Sequence, residues 1–182
     1  MGETDRQNIY SDFLDDRKIF LRGEVEVYKT TDIIAQLLYL EKLDPKKKIT
    51  LYLNSIGGVV PQGLAIYDTI QLIKPPVEII AIGEAQSMAS AILCGGEKGC
   101  RYATPNSTIM LHSPKYGIHG EEPYIDIYAT QLKRYREKLE EIISKHSGQP
   151  LEKVKADFEK TKFFTPKEAL EYGIIDLITE SL

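Results

Sequence analysis

Tryptophan is absent from this chain of 182 residues, and cysteine occurs only twice. Cys94 and Cys100 are too few for a disulfide framework and do not have the spacing of a metal site. We therefore expect two reduced thiols in a cytoplasmic protein. No apolar run approaches the ~20 residues that a bilayer-spanning helix requires, so no membrane span is predicted.

An excess of basic residues is also missing. The chain has 23 Lys and Arg against 27 Asp and Glu, a formal net charge of −4, and no basic stripe that would indicate nucleic acid or an anionic membrane as a partner. The start, MGETDRQ, lacks the apolar stretch of a signal peptide and the Arg-rich pattern of a transit peptide. We expect partners among proteins, peptides or small molecules.

Length and hydrophobic periodicity indicate a single α/β domain. At 42% hydrophobic residues the chain can bury one ordinary core. Short β-rich runs predict strands at 19–25, 49–53 and 77–82, and helical spacing predicts helices at 32–43 and 61–74. This alternation favours parallel strands with helices packed on the sheet.

Capping and breaking residues mark the predicted helix ends. They are Thr30 or Thr31 as the N-cap of the first helix, Pro75-Pro76 after the second, Ser147-Gly148 after a long helix at 124–146, and Thr165-Pro166 with Gly173 around the last.

The long helix carries two apolar seams with a seven-residue spacing. One seam is Ile125, Leu132 and Leu139, and the other is Tyr128, Tyr135 and Ile142. Such seams pack against another subunit or against the core of the same chain. The sequence leaves both alternatives open.

One serine lies where an apolar run gives way to small residues, in GEAQSMASAILCGG. Ser87 has Ala85 and Ala89 in the places where a nucleophile elbow carries glycine. A helix starting after it would direct the Met88 N–H towards a developing oxyanion, and the glycine turn in NSIGG offers Gly58 as a second donor. From residue type alone, a serine beside alanines is more often a case of close helix packing than of chemistry.

A serine nucleophile needs a base, and the chain has three histidines. His112 ends the strand predicted in STIMLHSP, where catalytic groups tend to lie. His119 falls in a turn-rich loop and His146 near a helix C-terminus. From residue type and position alone, Ser87 and His112 only weakly indicate a catalytic pair, because a single histidine is more often structural.

Long stretches of the chain resemble the ClpP family, the proteolytic subunits of ATP-dependent Clp proteases. They are LYLNSIGGVVPQGLAIYDTIQLIKP, GEAQSMASAILCGGEKGCRYATPNSTIMLHSP and FFTPKEALEYGIID, in that order. The resemblance implies a ClpP/crotonase-like α/β fold of repeated strand-strand-helix units with a projecting handle helix. It also implies one peptidase domain over 1–182, with a head at about 9–114 and 150–182 and a handle at about 115–149.

The same resemblance assigns roles in the site. It implies Ser87 as the nucleophile, His112 as the general base, and the N–H groups of Gly58 and Met88 as the oxyanion hole. It implies no metal and no cofactor, since ATP is used by the partner. The chain begins later than the family pattern, whose N-terminal segments form axial gate loops.

The third triad position departs from the family. The aspartate of the family falls, by ungapped register, on Thr161 in FEKTKFFTP. A buried aspartate orients the histidine and stabilises its imidazolium, and replacing it in a serine protease costs roughly 10⁴-fold in kcat. Thr161 has no charge, so Asp157 or Glu159 would have to substitute for it.

The resemblance also implies the assembly and its partners. We expect a homo-oligomer of two stacked heptameric rings held together by the handles, an AAA+ unfoldase that supplies unfolded polypeptide, and no nucleic acid or membrane partner. Peptide substrates would add as an extended strand beside the glycine-rich segment after Ser55, with broad specificity.

Three hypotheses follow, in order of preference. The first is a self-compartmentalised serine endopeptidase, because Ser87 and His112 occur together. The second is a weakly active or regulatory subunit of a mixed complex, because Thr161 replaces the aspartate. The third is an acyl-CoA enzyme of the crotonase type, which would need no nucleophilic serine.

Overall fold

The computed structural model describes residues 3–115 and 121–181. In these ranges the helices are α1 Glu3–Asp15, α2 Val27–Leu43, α3 Val60–Leu72, α4 Met88–Cys94, α5 Glu122–Ser147, α6 Leu151–Glu159 and α7 Pro166–Tyr172. The strands are β1 Lys18–Val25, β2 Ile49–Gly58, β3 Val77–Gln86, β4 Arg101–Ala103, β5 Thr108–Leu111, β6 Lys162–Phe164 and β7 Leu177–Ile178. His119 lies outside the described residues.

The strands form one sheet that is mainly parallel. Its order is β1-β2-β3-β4-β7, and β5 pairs with β3 on one side and with β6 on the other. Every pairing is parallel except that of β5 with β6. The mixed α/β fold predicted from the alternating pattern is therefore confirmed.

Strand β3 is shared between two neighbours along its length. Its first half pairs with β4, as in Ile79 with Arg101, and its second half pairs with β5, as in Gln86 with Met110. The sheet thus splits beyond the middle of β3. The carboxyl ends of β3 and β5 come together at the split, which is where ligands bind in open α/β sheets.

The two faces of the sheet are covered differently. Helices α2, α3 and α4 pack on one another beside β1 to β3, and the core between them includes Leu37, Leu51 and Ile92, which are fully buried. On the other face, Phe20 and Tyr52 stack at 5.1 Å between ring centroids, and the aromatic residues of α1 pack edge-on against Phe20. The sequence analysis did not predict α1.

The predicted cap of α2 was wrong. The helix begins at Val27, and Glu26 accepts the backbone N–H groups of Tyr28 and Lys29 at 2.8 and 2.9 Å. Because Glu26 satisfies the free N–H groups directly after β1, the helix starts a turn before Thr30 and Thr31. Thr30 is instead buried on the inner face of the helix.

The long helix α5 divides into an inner and an outer half. Leu139, Ile142 and Ile143 are buried against the body of the protomer, whereas Ile125 and Ile127 are 40% and 63% exposed. Gly148, with a φ of 76°, ends the helix as predicted. The core interpretation of the seams therefore applies to the C-terminal half of the helix, whereas packing of the exposed N-terminal half against another subunit stays a prediction.

Among the described helices, none is both long enough and apolar enough to cross a lipid bilayer.

Candidate active site

Ser87 occupies a strained turn between β3 and α4. Its φ of 55° and ψ of −121° fall outside the regions that a non-glycine residue ordinarily adopts. Such strain persists only where the surrounding structure holds it, and it is typical of a nucleophile that a sharp strand-to-helix turn presents to a cleft. This backbone separates the catalytic interpretation of Ser87 from simple helix packing.

Backbone and side-chain hydrogen bonds hold this turn. The Ser87 N–H donates to Met110 O at 2.8 Å, which ties the turn to β5. The Ser90 hydroxyl donates to Ser87 O at 2.5 Å, and the Ser90 N–H donates to the same oxygen at 3.1 Å. Because these bonds use the backbone of Ser87, its hydroxyl is left for the cleft.

The glycine turn at the end of β2 packs directly on the Ser87 turn. A Cβ on Gly57, whose φ is 87°, would lie 2.7 Å from Ser87 Cβ and 2.9 Å from Met88 N. Real side chains do not tolerate such distances, so only glycine lets the two turns approach. Gly58 was predicted from the sequence and Gly57 was not, although both belong to the NSIGG motif.

Gly58 lines the same cavity as Ser87. The next residue, Val59, donates its N–H to Val25 O of β1 at 2.9 Å. The α4 N-terminus contributes Met88 on the other side of Ser87.

His112 lies directly after β5 and is half-buried. Its Nε2 is 2.8 Å from Ser87 Oγ. Burial lowers the pKa of His112 below its ordinary value, and the nearby positive charge of Lys115 lowers that pKa further. The imidazole is therefore neutral at pH 7, which is the state that can accept a proton from a serine.

The contact between Ser87 and His112 follows from strand register. In the parallel pair, Ala85 is opposite Ile109 and Gln86 is opposite Met110. The two strands then end at the same edge, Ser87 one residue after β3 and His112 one residue after β5. Periodicity within each strand did not predict this register.

Thr161 is next to the site but makes no contact of the required kind. Leu111 pairs with Lys162 in the antiparallel ladder, so the following pair brings His112 opposite Thr161. Thr161 is exposed. In the described part of the chain, the hydrogen bond to Ser87 is the one that His112 makes, and no carboxylate orients its ring.

The two acidic residues considered as substitutes bind elsewhere. Asp157 accepts hydrogen bonds from Lys162 Nζ at 2.7 Å and from Tyr172 Oη at 2.8 Å. Glu159 is 3.8 Å from Arg136 of α5. In this conformation neither carboxylate reaches His112.

Two adjoining cavities open at the site. The site cavity, about 250 Å³, is lined by Ser87 and His112. The helix-side cavity, about 500 Å³, is lined by Leu132, Tyr135 and other residues of α5 together with Pro61. The residues common to both linings are Glu24, Gly58, Val60, Pro114 and Lys115, so the two cavities form one continuous groove beside the serine.

The arrangement can perform acyl transfer. A serine on a strained turn, a neutral histidine within hydrogen-bond distance and nearby backbone N–H groups are the components of nucleophilic catalysis at a carbonyl. His146, in contrast, is hydrogen-bonded to Tyr67 Oη at 2.8 Å, far along the chain from Ser87.

A sequence model of the Clp protease family matches residues 1–181. The match covers nearly the whole chain, including both strand ends that carry Ser87 and His112. The family consists of serine peptidases, in agreement with the geometry of the site. The chain therefore belongs to the Clp protease family.

Proposed function

We propose that this protein is the proteolytic subunit of an ATP-dependent Clp protease, a serine endopeptidase that hydrolyses unfolded polypeptides inside a barrel-shaped oligomer. The observation that carries the proposal is the 2.8 Å contact between His112 Nε2 and Ser87 Oγ at a strained turn. An acyl-CoA enzyme would need neither feature, and membership of the Clp protease family favours the peptidase.

The reaction follows from the roles of these groups. Ser87 Oγ attacks the scissile carbonyl carbon while His112 Nε2 takes the serine proton. The Gly58 and Met88 N–H groups donate to the oxyanion of the tetrahedral intermediate. His112 then gives its proton to the leaving amine, and a water molecule, activated in the same way, releases the acyl group from Ser87.

The unoccupied third triad position predicts low intrinsic activity. With no carboxylate on its other nitrogen, the His112 imidazolium that forms in the reaction receives no ionic stabilisation from the described residues. In a serine protease, that loss costs roughly 10⁴-fold in kcat. The oxyanion donors and substrate binding supply the catalysis that remains.

Assembly would bring the peptidase sites into an enclosed chamber. We propose a head at about 9–114 and 150–182 and a handle at about 115–149, with two heptameric rings meeting through the handles. The exposed Ile125 and Ile127 on the outer half of α5 support this, because apolar side chains at these positions gain from burial in a partner. An AAA+ unfoldase would use the ATP, and the peptidase itself would need no cofactor.

A regulatory subunit of a mixed complex is the second candidate. The observation that favours it is the absence, in residues 3–115 and 121–181, of a carboxylate partner for His112. A subunit of this kind would keep the fold and the ring contacts while contributing little hydrolysis.

Intact-mass labelling with a fluorophosphonate separates the two candidates. We expect the native chain to gain a single adduct, since the reagent reacts with a serine whose base is in place. Ser87→Ala should lose the adduct, and Ser181→Ala, which removes an exposed serine near the C-terminus, should retain it. A native chain that acquires no adduct, in its assembled state and with its fold verified by circular dichroism, would contradict the peptidase and favour the regulatory subunit.

A further inference from the structure

One charged side chain on the wall shared by both cavities has no part in the mechanism above. Glu24 lines the site cavity and the helix-side cavity, as does Lys115 on the segment after β5. These two residues supply the formal charges of the groove among the described residues, and His112 is neutral. Among the described residues, a charge preference for bound polypeptide would therefore depend on Glu24 and Lys115.

A β-bulge lies beside Glu24, where β1 pairs with the end of β2. The register of β1 against β2 shifts between Arg22 and Glu24, and Gly23 between them has a φ of 68°. Bulges of this kind redirect a side chain and recur beside active sites. The extra residue is in β2, because two residues separate Asn54 from Gly57 where one separates Arg22 from Glu24. Glu24 therefore pairs with Gly57, next to the Ser87 turn.

The bulge is fixed to the glycine turn of the site. The Ser55 hydroxyl donates to Gly23 O at 2.5 Å and accepts the Gly57 N–H at 3.1 Å. One buried serine thus connects the bulge to the glycine that packs on Ser87. Glu24 is held by strand pairing at a defined place relative to the nucleophile.

The Glu24 carboxylate is not used within the protomer. Lys29 Nζ donates to the backbone oxygen of Glu24, at 3.2 Å, and not to the carboxylate. Although Lys115 lines the same cavities, no ion pair within 4.0 Å joins it to Glu24. In the described part of the chain the carboxylate has no hydrogen-bond or ion-pair partner, so it is available to a ligand.

The neighbouring surface is apolar. Val60, Pro61 and Leu132 line the helix-side cavity next to Glu24. A bound polypeptide would place a bulky apolar residue there and would displace water from the carboxylate. An ion pair formed where water is excluded is stronger than one on an open surface.

We propose that Glu24 is a specificity-determining residue that favours polypeptide segments carrying a positive charge close to the residue in the helix-side cavity. The cation is a lysine or arginine side chain. The inference rests on the proposed peptidase function, because the groove leads to Ser87. It adds a charge preference to a site whose backbone contacts are otherwise tolerant of sequence.

The test uses three peptidyl phosphonates that react covalently with an activated serine. They share one sequence with a bulky apolar residue at the reactive end and differ only in a preceding residue, which is lysine, norleucine or glutamate. Second-order rates of Ser87 labelling are measured by intact mass for the native chain, Glu24→Gln and Glu24→Lys. Glu171→Gln, on the exposed surface of α7, is a matched control for the change in net charge.

We expect the lysine probe to react roughly 5- to 20-fold faster than the glutamate probe with the native chain, as for a partly desolvated charge pair. The ratio of the lysine-probe rate to the glutamate-probe rate should fall towards one in Glu24→Gln and below one in Glu24→Lys. It should remain unchanged in Glu171→Gln. The norleucine rate should stay within about twofold throughout, which shows that the variants are folded and the site is intact.

Two outcomes would overturn the inference, and they are distinguishable. Efficient labelling with a ratio near one in the native chain, or a ratio that Glu24→Gln leaves unchanged, contradicts the role of Glu24 and leaves the peptidase standing. If neither the phosphonates nor the fluorophosphonate label Ser87, the proposed peptidase fails, and the inference fails with it.

Discussion

Two polar clusters of this protein differ in how fully their groups are paired. Arg101, 1% exposed, donates to both carboxylate oxygens of Asp176 at 2.7 and 2.8 Å, and to the backbone oxygens of Cys94 and His146. Asp176 also accepts the Gly99 N–H. At the active site, by contrast, the half-buried His112 has Ser87 as its hydrogen-bond partner in the described residues.

The difference follows from charge. A guanidinium that is taken out of water must be paired and hydrogen-bonded, because an unpaired buried charge costs several kcal/mol. A neutral imidazole carries no such penalty and can remain with one partner. The Arg101–Asp176 cluster is therefore completed within the protomer, whereas the Ser87–His112 pair remains open to a third group, to substrate or to a change of conformation.

The largest expected effect comes from adding the missing charge at the site. Thr161→Asp places a carboxylate opposite His112 in the antiparallel register and should raise peptide turnover by at least about 10-fold, with a ceiling near 10⁴-fold. Steady-state hydrolysis of a fluorogenic peptide measures the change. Thr161→Asn, of similar size without the charge, should give little increase. An unchanged rate in Thr161→Asp would mean that another group already orients His112.

The second largest effect is expected from breaking the ion pair between Arg101 and Asp176, which should lower the stability of the protein. Asp176→Asn leaves Arg101 buried without its counter-ion, and we expect the free energy of unfolding to fall by about 3–5 kcal/mol. Urea unfolding followed by circular dichroism measures this loss. Lys98→Gln removes an exposed ion pair to the same carboxylate and should cost less than about 1 kcal/mol. Equal losses in both variants would refute the distinction between buried and exposed partners.

Acid should destabilise the protein through the half-buried His146. Burial, followed by the positive charges of Lys145 and Arg101, lowers the pKa of His146 from 6.5 to about 4. Between these values the unfolded chain binds a proton that the folded chain excludes. Stability is therefore fully present above pH 6.5 and falls as the pH drops to 4, by about 1–2 kcal/mol because solvent screens this half-exposed side chain, and it loses nothing further to this group.

Urea midpoints between pH 7 and pH 4 check the acid effect. His146→Gln should flatten the dependence, because its side chain keeps a hydrogen-bonding group near Tyr67 but does not titrate. A slope identical to that of the native chain would show that other groups cause the loss. The pKa of His112 is also lowered, so His112→Gln should reduce the slope in the same direction.

The smallest expected effect concerns the influence of Lys115 on the pKa of His112. Removing the positive charge in Lys115→Gln should raise the pKa of His112 towards its ordinary value. The rate of fluorophosphonate labelling depends on the neutral imidazole, so its acidic limb should move to higher pH. Lys167→Gln on α7 should leave the limb in place. If the acidic limb of the labelling rate moved to lower pH in Lys115→Gln, Lys115 would not be lowering the pKa of His112.

Local patterns predicted much of the fold. The strands at 19–25, 49–53 and 77–82 and the end of the long helix at Gly148 agree with the structure, because alternation and a left-handed C-cap are local properties. The start of α2 was predicted wrongly, because Glu26 caps the helix from an extended conformation directly after β1. Helix α1 was missed because its contacts with Phe20 come from another element.

The site was predicted by residue type but not by arrangement. The motif around Ser87 and the position of His112 at a strand end predicted a pair that the structure brings within 2.8 Å, while their catalytic roles stay predictions. Thr161, predicted at the third triad position from the resemblance, follows in register opposite His112. Gly57 and Glu24 were not identified. Their places depend on the approach of two turns and on a bulge in the pairing of β2 with β1, neither of which has a periodic signature.

The sequence by itself determined the α/β class, the positions of most helices and strands, the resemblance to Clp proteases and the absence of an aspartate at position 161. These properties depend on residue identity and on spacing within a short segment. Only the tertiary structure decided that the φ of Ser87 is positive, that His112 lies 2.8 Å from it, that Asp157 and Glu159 are bound elsewhere, and that Glu24 faces the groove. Strand register and packing between distant segments set these distances, and no local pattern encodes them.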